Sequence, residues 1–244
     1  MSSINQSSTS CYPPQAFLYF IDSMSGAQFT LFSHKGGPNG WKVAIVLEEL
    51  GLTYDTKFLD FQSGEHKAEP HTKYNPNGRI PTLIDHKNGD FVLWESNAII
   101  TYLVDTYDKE HKISAADTKD KYLQLQWLFF QASGQGPYFG QFMWFNRMHP
   151  EKIPSAIERY ANETKRVLGV LEAVLSKQEW LVGNKFSVAD ISFIPWNDIA
   201  IEYILGESFD FAKEYPSVAA WHAKLGERAT VKKIRADKKV AMAA

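Results

Sequence analysis

The sequence predicts an α/β domain built on four strands, followed by an all-helical domain. Two observations carry that expectation. Between residues 29 and 110 the apolar periodicity switches back and forth between that of strands and that of helices, whereas beyond about residue 118 it is helical throughout. At 244 residues the chain is long for one core and comfortable for two.

The elements follow in order. "FTLFSH" reads as a strand, and residues 41 to 50 then place Val43, Val46, Leu47 and Leu50 on one helical face. Gly51 stands where a helix C-terminus calls for positive φ. "YDTKFLD" alternates Tyr54, Thr56 and Phe58 with polar residues, a second strand. "PTLID" and "FVLWE" are short strands joined by the turn-rich "HKNGD". Ser96 to Tyr107 carries Ile99, Ile100, Leu103, Val104 and Tyr107 on one stripe. The stretch from 108 to 117, where apolar residues thin out, reads as the linker. Residues 118 to 146 form an aromatic-rich helical segment that "SGQGP" should break. Ile157, Tyr160, Thr164, Leu168, Leu171 and Leu175 recur at three and four. Ser187 followed by Asp190 is a capping signal and a structural feature. Pro195 should bend its helix, Pro216 suits a first turn, and the basic "VKKIRADKKVAMAA" reads as a solvated tail. The units are thus a tail over 1–28, an α/β domain over 29–110 and a helical domain over 118–240.

Composition excludes several classes. A net charge of -2 with scattered basic residues gives no footprint for nucleic acid. Cys11 is the only cysteine, so no disulfide forms within the chain, and no cysteine of the patterned region is catalytic. No apolar run approaches the ~18 residues of a membrane span. The first 28 residues lack Lys and Arg and resemble neither a signal nor a transit peptide, so a cytoplasmic protein is expected. The seven histidines show no metal-binding spacing, and His66 and His71 stand five apart on an expected loop. The glycine-rich stretch lacks both the phosphate-loop lysine and a dinucleotide fingerprint. Neither metal nor nucleotide is expected.

Three stretches invite chemistry. "KGGPNGWKVAIVLEELG" concentrates glycines and one amide, Asn39, just before a helix, either as turn punctuation or because a ligand approaches the helix start. "NPNGRIPTLID" puts Pro81 at the start of a strand, where its missing N–H costs no ladder bond. An ordinary trans proline is one reading. A cis Ile80–Pro81 bond would instead leave the Ile80 backbone N–H and C=O facing out of the sheet, able to pair with a peptide-like ligand. In "LWESNAII", Ser96 is a natural N-cap. Free N–H groups there favour an anion, and Glu95 suits an ammonium, so the pair fits the two ends of an α-amino acid as well as it fits a plain cap.

The succession of these stretches with "GEHKA", "WLFFQ" and "WLVGNKFSVADISFIPWN" resembles the cytosolic glutathione transferase superfamily over about residues 29 to 235. It looks most like the fungal nitrogen-regulator-like (prion-homologue) group, akin to the bacterial nu class. The resemblance implies a thioredoxin-like N-terminal domain with a four-stranded mixed sheet, a helical C-terminal domain, and a homodimer. It implies glutathione as co-substrate, with Asn39 beside the sulfur, the Ile80 backbone before cis Pro81 on the cysteinyl part, Glu95 and Ser96 on the γ-glutamyl end, and His66 on the glycyl end. Arg79 matches a family arginine of less definite role.

The chemistry is within reach of such a site. Holding glutathione's thiol as thiolate at neutral pH needs roughly 2.7 kcal/mol of preference for the anion. A hydrogen bond to a charged group gives about 1.5–3 kcal/mol and a helix N-terminus about 0.3–1 kcal/mol. Asn39 donates without taking a proton, and Gly40 would let the backbone approach. Ser33 is the rival, because many relatives use a hydroxyl after the first strand. The aromatic helix should supply an apolar second pocket, with Phe142 and Trp144 as candidates to contact an electrophile. Two functions are implied: conjugation to hydrophobic electrophiles or reduction of hydroperoxides or disulfides, and, alternatively, non-enzymatic regulation of a transcription factor.

Overall fold

The computed structural model describes residues 26–206 and 209–244, so Cys11 and nearly all of the expected tail lie outside the described residues. Four strands, β1 (Phe29–Ser33), β2 (Tyr54–Phe58), β3 (Thr82–Asp85) and β4 (Phe91–Trp94), form one sheet in the order β2-β1-β3-β4. β1 runs parallel to β2 and antiparallel to β3, which pairs antiparallel with β4, so the sheet is mixed. The crossover between β1 and β2 is α1 (Pro38–Glu49); α3 (Ser96–Tyr107) follows β4 and packs beside it. Buried Val43, Val46 and Leu47 of α1 and Ile99, Ile100 and Leu103 of α3 join Phe29, Leu31 and Leu83 of the sheet in the core. This is a thioredoxin-like domain.

The rest is helical: α4 (Thr118–Phe130), α5 (Gly136–Met143), α6 (Pro154–Leu175), α7 (Val188–Ile191), α8 (Ile194–Ile199), α10 (Pro216–Gly226) and α11 (Ala229–Ala243), with short α2 (His71–Tyr74) and α9 (Phe211–Glu214). Ser187 and Asp190 make the expected capping box, and Asp190 also accepts from Leu181 N and Trp221 Nε1. Pro216 takes a first-turn position, as expected. At Pro195 the helix is interrupted, α8 restarting with the proline in its first turn.

Three expectations need correction. "SGQGP" does not break the helix: Gln131–Gln135 widens into a π-turn that carries α4 into α5. The segment from 108 to 117, expected as the linker, is held by Asp108, which accepts from the N–H groups of Lys112 and Ile113 and from Ser114 Oγ, and Ile113 is buried. The basic C-terminal stretch is not a solvated tail. It forms α11, burying Val231 and Ile234 and packing on α1, because its apolar residues recur at helical spacing between the lysines. Arg228 donates twice to Glu49 at 2.8 Å, and Lys233 pairs with Glu48 at 2.7 Å. Finally, α1 begins at Pro38, earlier than the periodicity suggested, so Asn39 is inside its first turn and Gly37 is the cap.

Candidate active site

A cleft of about 790 Å³ opens where the end of the sheet meets α5 and α8. Asn39, Arg79, Ile80, Pro81, Glu95 and Ser96 line it from the sheet side; Gly140, Gln141, Trp144 and Trp196 line it from the helical side. That size is ordinary for a small-molecule site.

Asn39 reaches the cleft from the first turn of α1, where backbone N–H groups have no helical partner. Its Oδ1 accepts the indole N–H of Trp196 at 2.9 Å. With the oxygen so occupied, the amide's NH₂ is the edge left to donate. Gly140 faces the Trp196 ring, and a Cβ there would lie 3.4 Å from it, in contact. Ser33, the rival, is 1% exposed and does not line the cleft. Its side chain packs on Gly40 instead, where a Cβ would sit 1.9 Å from Ser33 Oγ. Gly40 is therefore required by the strand beneath α1, not by a ligand's approach.

The Ile80–Pro81 bond is cis, and so is Glu69–Pro70, which sequence reasoning did not anticipate. A chain of side chains holds this corner. Asn75 Nδ2 donates to Arg79 O at 2.8 Å and to Thr82 Oγ1 at 3.0 Å. His71 Nδ1 donates to His66 O at 3.0 Å, which leaves its Nε2 to accept from Thr82 Oγ1 at 3.1 Å. Arg79 is exposed, and its guanidinium has no hydrogen-bond or ion-pair partner among the described residues.

Glu95 has φ 73° and occupies the N-cap position of α3, its carbonyl accepting from Ile99 N at 2.9 Å. Contrary to the expectation that Ser96 is the N-cap, it is the first helical residue: the strand runs straight into the helix, and the turn falls on Glu95. The Ser96 hydroxyl accepts instead from the buried Lys42 at 3.0 Å.

His66 lies just outside the cleft wall, stacked on Phe61, which lines it, with ring centroids 4.1 Å apart. Burial, then the charges of Lys67, His71 and Arg79, lower its pKa below the ordinary histidine range. Trp144 faces the cleft, but Phe142 does not; it is 5% exposed in the helical core beside Phe139. The two aromatics are two residues apart on one helix, so they point to different sides. Sequence reasoning missed Trp196, Lys42 and Gln131, because a buried polar side chain on an apolar helix carries no signal of what it faces.

Family models agree with this architecture: residues 27–105 match the glutathione S-transferase N-terminal domain and residues 136–229 the glutathione S-transferase C-terminal domain. The chain belongs to the glutathione S-transferase family. Among family members of known structure, the glutathione transferase URE2P6 from Phanerochaete chrysosporium, solved in complex with oxidized glutathione, is 63% identical with a TM-score of 0.87, covering 89% of this chain and 99% of that one. Glutathione S-transferase 2 of Schizosaccharomyces pombe is 51% identical over 84% of this chain and 94% of its own length. The transcriptional regulator URE2 of Saccharomyces cerevisiae is 38% identical over 86% of this chain and 68% of its own length. In this glutathione S-transferase, then, the two family domains meet at the cleft that gathers Asn39, Ile80, Glu95 and Ser96. Among the described residues no group of His, Cys, Asp and Glu is arranged to hold a metal ion, and no helix is long and apolar enough to cross a membrane.

Proposed function

We propose that the protein binds glutathione in this cleft and activates its thiol for conjugation to hydrophobic electrophiles, or for glutathione-dependent reduction of hydroperoxides or disulfides. The observation that carries the reading is the Asn39 amide, held by Trp196 so that its N–H edge is the one free to donate. The Ile80 backbone beside cis Pro81 takes the cysteinyl part, Ser96 and Glu95 the γ-glutamyl end, and Arg79 and His66 lie toward the glycyl end. Asn39 and the start of α1 stabilise the thiolate without acting as base, so no metal or nucleotide is required. Trp144 and Trp196 form the apolar wall an electrophile would meet.

The protein acts in the cytoplasm as a homodimer. The groove of about 620 Å³ lined by Leu93, Tyr102, Leu125 and Phe129, with Phe129 70% exposed, supports that assembly. A second reading, regulation of a transcription factor, is favoured only by the likeness to the URE2 regulator. A panel of a chromogenic electrophile, an organic hydroperoxide and a small disulfide, each with reduced glutathione, tests the proposal. Turnover of at least one is expected, with Glu95→Ala raising chiefly the KM for glutathione. Glutathione binding with no turnover of any would favour the regulator.

A further inference from the structure

A buried cation lies one layer behind the cleft. Lys42 of α1 is 1% exposed and does not reach the cleft itself. Its Nζ donates to Ser96 Oγ at 3.0 Å, Asn97 Oδ1 at 3.0 Å and Gln131 Oε1 at 2.7 Å. An ammonium has three protons and no lone pair, which these three acceptors match; a neutral amine would set its lone pair against one of them. The surrounding amides are aligned to suit. Gln131 Nε2 donates to Gln135 Oε1 at 3.1 Å, and Gln135 Nε2 donates to Asn197 Oδ1 at 2.8 Å. Three successive amide oxygens thus point back along the chain toward Nζ, so their dipoles add in favour of the positive charge. Burial pulls the Lys42 pKa down to about 7, and the charge of Glu95 opposes that fall.

The consequence falls on Ser96, which lines the cleft. A hydroxyl has one proton to give. With Lys42 occupying a lone pair of its oxygen, and no acceptor for its proton among the described residues, the Ser96 O–H is free to donate into the cleft. We infer that Lys42 is a positioning residue which, from behind the cleft wall, commits the Ser96 hydroxyl to donating toward the α-carboxylate of glutathione's γ-glutamyl end. Glu95 is then left for the neighbouring amine. The inference rests on the glutathione reading above and adds which group sets the polarity of that corner.

The test compares S-methylglutathione with S-methyl-4-aminobutyryl-cysteinyl-glycine, which lacks only the α-carboxylate; neither has a titrating thiol. By calorimetry near pH 6.5, Lys42→Met should weaken S-methylglutathione binding about tenfold or more and leave the decarboxylated ligand within about twofold. Equal loss of both ligands, or loss of neither, overturns the assignment while leaving the glutathione reading intact. Failure of the unaltered protein to bind S-methylglutathione overturns both. A second measurement needs no variant. Because linkage is reciprocal, S-methylglutathione must raise the pH at which the Lys42 amine, followed by nitrogen NMR in the native protein, gives up its proton. The decarboxylated ligand must not do so, the Glu95 charge being common to both experiments. An unchanged titration overturns the assignment.

Discussion

Trp196 of α8 donates its indole N–H to the Oδ1 of Asn39, 157 residues earlier in the chain, across the boundary between the sheet and the helices. Side-chain amides rotate easily and present an acceptor as readily as a donor. This contact removes the ambiguity, so the helical half of the molecule decides which edge of that amide the sheet half presents to the cleft. Trp196→Phe keeps an aromatic ring there and deletes that bond together with the pyrrole part of the indole. A bond of this kind is worth about 0.5–1.5 kcal/mol. Turnover with a chromogenic electrophile should fall roughly twofold to tenfold, with little change in glutathione affinity measured by calorimetry.

Asn39→Ala removes the donor itself. A hydrogen bond to a charged group is worth about 1.5–3 kcal/mol, so turnover at neutral pH should fall by about one to two orders of magnitude. The loss has a direction in pH. Without the donor the bound thiol ionises at higher pH, so the variant should approach the parent's rate as the assay is made alkaline. A pH–rate profile checks this, and a loss of equal size at every pH would remove Asn39 from the thiol.

Gly40 and Ser33 form a packing pair. Gly40→Ala would drive a methyl group to 1.9 Å from Ser33 Oγ and 2.8 Å from its Cβ, so one backbone or the other must shift. Overpacking of this kind costs about 1–3 kcal/mol. Urea denaturation should show that loss, and Ser33→Gly in the same chain should recover much of it, because both clashing atoms are then gone.

Lys42 gives stability a pH dependence whose sign is fixed. In the unfolded chain its amine stays protonated to about the ordinary lysine value, whereas burial lowers its folded pKa to about 7. Between those two values the unfolded state binds more protons, so this residue's contribution to stability rises with pH, by at most about 1.4 kcal/mol per pH unit. Denaturation of the parent and Lys42→Met at pH 6.5, 8 and 9.5 should show the parent gaining on the variant as pH increases.

Much of this molecule is legible in its sequence, and the reasons are physical. Val43, Val46 and Leu47, or Ile99, Ile100 and Leu103, announce a face because burial on one side of a helix leaves a period in the chain. Ser187 and Asp190 announce a cap because both partners are local. The π-turn at Gln131–Gln135 left no such trace: one extra residue per turn looks, in one dimension, like a helix broken by glycines. Ser96 was misread for a related reason, since its partner Lys42 is 54 residues away. Asn39 was found through family likeness, and the tryptophan that orients it had no local signature at all.

The docking of α11 on α1 has a consequence for how the chain is made. The outer side of the helix that carries Asn39 is closed by Arg228, which clasps Glu49 from 179 positions downstream. During synthesis the first domain can assemble its sheet early, yet this helix stays uncovered until translation has passed residue 228. The helix on which Asn39 sits is therefore among the last parts of a newborn molecule to be finished.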